Sequence, residues 1–166
     1  MLNILLFGIV FSQSKAESLE SENINKFSET IDKDSNVTEY QFEVKNKNKI
    51  VQYQYSKKGN KIVKISREWK ENNGNYIDTY TDFFLLKNEE KIYANQSIVF
   101  KNRSDEEDMG GWSCTFWIHK NKVIHMTSLG HGKTETDDWD YEKELKENFN
   151  YMIEKVRKMD KNNKKK

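Results

Sequence analysis

The sequence predicts an α+β fold: an antiparallel meander of about seven strands, strongly curled or bent into a half-barrel, packed on a long C-terminal helix and preceded by a short N-terminal helix. Three observations predict it. Apolar and polar residues alternate between Val37 and Leu129, the period of half-buried strands. Turn signals built from Asn, Gly and Lys break that alternation every ten residues or so. On both sides of the alternating stretch the spacing of apolar residues lengthens to three and four, as on the buried stripe of a helix.

The elements follow in order. Ile24, Phe27 and Ile31 place an amphipathic helix over Ser18 to Asp32. From Val37, Tyr40, Phe42 and Val44 face one way and Glu39, Gln41 and Glu43 the other. The turn Asn46-Lys47-Asn48 leads into Ile50 to Tyr55, and Lys57-Lys58-Gly59-Asn60 leads into Ile62 to Trp69. The loop Glu71 to Asn75 precedes a strand from Tyr76 to Leu86. Lys87 to Glu90 turns the chain into Ile92 to Lys101, and a longer loop from Asn102 to Gly111 leads to Trp112 through His119. Lys120-Asn121-Lys122 then gives the last strand, Val123 to Leu129. Trp139, Leu145, Phe149, Met152, Ile153 and Val156 form one stripe of a helix starting near Asp137 or Asp138. Runs such as Phe83 to Leu86 and Phe116 to Ile118 are apolar on both faces, so the sheet needs cover on both sides.

Composition sets limits on function. The chain has 166 residues, 35% hydrophobic and 33% charged, with 21 aromatics, enough for one domain with its own core. Its 28 basic and 27 acidic side chains nearly cancel, so the whole molecule has no field that draws it to nucleic acid or an anionic membrane. Residues 1–16, with the apolar run Leu2 to Phe11 and the small Ala16, read as an export signal, although no Lys or Arg precedes the run. Residues 17–159 then form the single domain, and the basic run 160–166 a disordered tail. The expected location is secreted or periplasmic, with no membrane span after signal removal.

Cys114 is the only cysteine, which excludes an internal disulfide and a Cys-based zinc cage. It alternates with Trp112, Phe116 and Ile118 and reads as a small apolar side chain. His119, His125 and His131 recur every six residues, but extended backbone places His125 and His131 roughly 20 Å apart, too far to share an ion. No metal and no cofactor are expected. With a three-residue turn after His119, His125 lies opposite Trp117.

Alternation of strand direction delivers the loops after the first, third, fifth and seventh strands to one end of the sheet. That rim gathers Glu71 to Asn75, Asp105 to Asp108, and Gly130 to Asp138. There His131, freed by two flanking glycines and close to Glu135 and Asp138, is the candidate catalytic base of a hydrolase-like enzyme. The favoured expectation is a noncatalytic binding protein. Its ligand, of which a small apolar molecule is one form, sits in the concavity of the sheet or at the acidic rim, with Trp112, Trp117, His125 and Tyr93 as candidate contacts.

The third expectation is a structural domain that docks an extracytoplasmic protein or a polyanion. Eight basic residues and no acid occur from Lys45 to Arg67, interleaved with Tyr53 and Tyr55, so Lys57, Lys58, Lys61 and Lys64 are candidate polyanion contacts. Only three of the 28 basic residues are Arg, which argues against nucleic acid. The sequons at Asn36, Asn95 and Asn102 matter only in a glycosylating pathway. No phosphate-binding loop, nucleophile elbow or zinc spacing is visible.

Overall fold

The computed structural model describes residues 14–46, 49–104 and 107–163. The apolar run on which the export expectation rests lies outside the described residues, as do Asp105 and Glu106 of the acidic loop. Helix α1 (Lys15–Asp32) is followed by β1 (Val37–Asn46), β2 (Lys49–Lys58), β3 (Lys61–Asn73), β4 (Tyr76–Lys87), β5 (Glu90–Asn102), β6 (Asp108–His119) and β7 (Lys122–Gly130). A single 3-10 turn (Lys133–Glu135) then precedes α2 (Tyr141–Asn163). The strands form one antiparallel sheet in chain order, with β1 and β7 as its two edges, so the sheet is not closed on itself. No helix among the described residues is long and apolar enough to cross a membrane.

Both helices depart from their expected limits. A capping box in which Ser14 and Glu17 exchange hydrogen bonds starts α1 at Lys15, inside the stretch assigned to the signal. Helix α2 starts at Tyr141 rather than at Asp137 or Asp138, because Asp140 Oδ1 accepts from the Lys143 N–H and caps it there. It also runs to Asn163, past the point where the basic tail was expected. Asp160 anchors this last stretch by accepting from the buried Lys57 ammonium at 2.8 Å.

The turns after β2, β3, β4 and β6 are the two-residue kind that match strand twist. Asn88-Glu89 and Lys120-Asn121 hold both central residues at positive φ, whereas Gly59 and Gly74 open turns with one such residue each. Four of the six strand pairs contain a register shift, at Ser56/Lys57, Leu85/Leu86, Phe100/Lys101 and Trp117/Ile118. The last of these corrects the sequence argument for His125. The turn has two residues rather than three, and the bulge supplies the extra residue that sets His125 opposite Trp117, ring centroids 4.9 Å apart.

The two helices cover opposite faces. Ile31, Val63 and Leu85 form a small core with Phe27 under α1. Tyr53, Tyr55, Ile65, Phe84, Phe116, Leu145, Met152 and Val156 belong to the larger core under α2. This two-sided cover explains the consecutive apolar residues: Leu85 points to α1, while Phe84 and Leu86 point to α2.

Candidate functional site

The register lines up three transverse rows on the α2 face. The first, Tyr55, Ile65, Phe84, Ala94, Phe116 and Met126, is apolar and is filled by side chains from end to end. Two positions further along each strand, the second row is Tyr53, Arg67, Asp82, Gln96, Cys114 and Ser128. The third is Val51, Trp69, Tyr80, Ile98, Trp112 and Gly130. A polar belt thus runs between an apolar layer and an aromatic one.

Above the belt, the first turns of α2 stand off the sheet and leave a cleft of about 190 Å³. Its lining includes Arg67, Asp82, Gln96, Trp112, Lys133 and Glu144. Glu144 and Asn148, four residues apart on one helix face, reach down into the belt. Arg67 Nε donates to Asp82 Oδ2 at 2.7 Å, and its second nitrogen donates to Asn148 Oδ1 at 2.8 Å. Gln96 Nε2 donates to Asp82 Oδ1 and to Glu144 Oε1, both at 3.0 Å. Lys133 donates to Glu144 Oε1, and Trp139 Nε1 donates to Glu144 Oε2 at 2.8 Å. Burial alone would raise the Glu144 pKa, but the hydrogen bonds from Lys133, Trp139 and Gln96 outweigh it and hold the carboxyl below its ordinary value.

Gln96 is 3% exposed. Its amide orientation is fixed, because both neighbours of the NH2 end are carboxylates and accept only. The other end of the amide, Oε1, is buried without a hydrogen-bond partner. A buried acceptor left open is costly, and Gln96 belongs to the lining of the cleft. The aromatic wall is equally ordered. Trp69 and Tyr80 stack at 5.1 Å, the Arg67 guanidinium lies 4.8 Å from the Trp69 ring, and Trp112 meets Trp139 edge-on at 5.5 Å.

The expected site residues do not converge. Trp112 lines the cleft, but Tyr93, Trp117 and His125 sit on the α1 face, where Trp117 Nε1 donates to Asn25 Oδ1 at 2.8 Å. The reason is strand parity: Trp112 and Trp117 are five positions apart on β6 and therefore point to opposite faces. His131 Nδ1 does contact Glu135 Oε1, at 2.5 Å, and that hydrogen bond raises the imidazole pKa. The pair is nonetheless open to solvent, His131 being 93% exposed, so it lacks the water exclusion that strengthens proton transfer. Asp138 is exposed on the following loop. Of the glycines beside His131, Gly130 takes a positive φ of 80° and Gly132 is closely packed. A Cβ on Gly132 would lie 2.4 Å from Trp112 Cγ.

Three of the four lysines proposed for polyanion contact are paired. Lys57 meets Asp160, Lys58 meets Asp34 at 2.7 Å, and Lys64 meets Asp32. Lys61 is exposed. The paired carboxylates come from the end of α1, the turn after it and the end of α2, all outside the acid-free window. The histidines are dispersed, and among the described residues no group of three His, Cys, Asp or Glu side chains converges as a metal site.

The cleft residues carry a sequence signal that the parity argument passed over. Arg67, Asp82 and Gln96 each interrupt an inward-facing apolar series, Ile65-Arg67-Trp69, Tyr80-Asp82-Phe84 and Ala94-Gln96-Ile98. Comparison with protein families, curated proteins and solved structures finds no match for this chain.

Proposed function

We propose that this chain is a noncatalytic binding protein whose ligand occupies the cleft between the polar belt of the sheet and the first turns of α2. The observation that carries the reading is Gln96, an oriented, buried amide whose carbonyl oxygen has no donor, set in a lined opening. The curl expected from the sequence belongs to this reading. The four register shifts support it, because a bulge bends its strand and increases local twist. Action outside the cytoplasm, secreted or periplasmic, is also part of the proposal, and it rests on the apolar N-terminal run alone.

The test is ligand-observed NMR of the whole protein with a mixture of small metabolites, repeated with Ile98→Phe, which fills the cleft from the aromatic row. Saturable binding that disappears in Ile98→Phe supports the reading. Binding that persists unchanged in that variant, or no binding by any component, overturns it.

A further inference from the structure

We infer that the cleft selects a small, uncharged, ring-shaped polyol, of the monosaccharide or cyclitol class; this inference rests on the binding reading above and names the ligand that reading leaves open. The first argument is hydrogen-bond polarity. Gln96 Oε1 is an unmet acceptor, and the carboxylates of Asp82 and Glu144 at the NH2 end of its amide are acceptors as well. An occupant that brings donors, as hydroxyl groups do, suits these acceptors.

The second argument is charge. Arg67 is neutralised by Asp82 and Lys133 by Glu144, two cations against two anions in one partly buried site. A charged occupant would find every opposite charge already engaged and would bear its desolvation uncompensated. The third argument is shape. Trp69, Tyr80, Ile98 and Trp112 make a continuous apolar row beside the polar belt, so the occupant needs one apolar flank along with its hydroxyls. A ring whose C–H groups face one way meets that need. The fourth is size: about 190 Å³ falls below the roughly 300 Å³ at which pockets for drug-sized molecules begin, and suits a single small ring.

The test titrates the full chain, by calorimetry and tryptophan fluorescence, with D-glucose, D-galactose and myo-inositol. D-glucuronate, D-glucosamine and cyclohexanol serve as the anionic, cationic and hydroxyl-poor counterparts. The expected result is saturable binding of at least one neutral polyol, at least tenfold weaker binding of all three counterparts, and a tenfold or greater loss in Gln96→Met. Should Gln96→Met fail to fold, Ile98→Phe carries the same arm, since it narrows the cleft without touching the polar belt. Equal or tighter binding of glucuronate, glucosamine or cyclohexanol overturns the ligand class while leaving the binding reading in place. Binding by none of the six probes also overturns the class, and the metabolite-mixture experiment then decides the broader reading separately.

Discussion

Lys57 and Asp160, separated by 103 positions, form an ion pair in which the ammonium lies 2.8 and 3.1 Å from the two carboxylate oxygens. Lys57 is 5% exposed, so the pair ties the far end of α2 onto β2 beneath the solvent boundary. Removing one partner strands the other charge, whereas replacing the buried cation with an apolar side chain of similar length removes the need for pairing. Asp160→Asn is expected to cost on the order of 3 kcal/mol, and Lys57→Met distinctly less. Urea unfolding of both variants checks the ordering. Equal losses would show that the bridge carries no special burden.

Gly132 lies against the face of Trp112, with its absent Cβ 2.4 to 2.8 Å from three atoms of that side chain. Gly132→Ala is expected to cost about 1 to 3 kcal/mol by overpacking. It should also displace the Trp112 ring from Ser128 and Thr134, which accept from its Nε1 at 3.1 Å. Thermal unfolding followed by tryptophan emission reports both effects, and an unchanged spectrum would rule out the displacement.

Burial pushes the Cys114 thiol up to about 12. The native protein is therefore expected to be silent to an aromatic disulfide reagent at pH 8 and to react with one thiol per chain after unfolding in urea. Fast reaction of the native state would mean that the layer beneath α2 opens readily.

Asp34 is held from 3.8 down to about 2, first by the hydrogen bond from Lys58 and then by the Asn36 amides. A carboxyl with a depressed folded pKa stabilises the fold above its unfolded pKa and loses that contribution as pH falls through the folded value. Asp34→Asn is accordingly expected to lower the urea midpoint at pH 6, with the gap to the parent protein shrinking between pH 3.8 and about 2. A gap independent of pH would place the effect in the turn geometry instead.

The order of elements was legible because each strand pairs with its neighbour in the chain, so local turn signals and period-two alternation are sufficient. Lys87 to Glu90 is such a case, read as a turn and folded as one around Asn88 and Glu89. Bulges were not legible, since the extra residue at Trp117/Ile118 has no compositional mark. The cleft was passed over for a related reason. His131 and the acidic loops stood out by residue type, whereas Arg67, Asp82 and Gln96 are brought together by parity and register, which line up three separate strands in one row. Pairings such as Lys58 with Asp34 depend on where α1 ends over the sheet, and no window around the lysines contains that information.

All six strand pairings join consecutive segments through short links, so the ribbon can zip together without closing a long loop. The last helix is different, because it must travel back across the ribbon before Asp160 finds Lys57. Its docking is therefore the long-range step of assembly. Since Glu144 and Asn148 ride on it, the space above Gln96 acquires its roof only when that helix is docked.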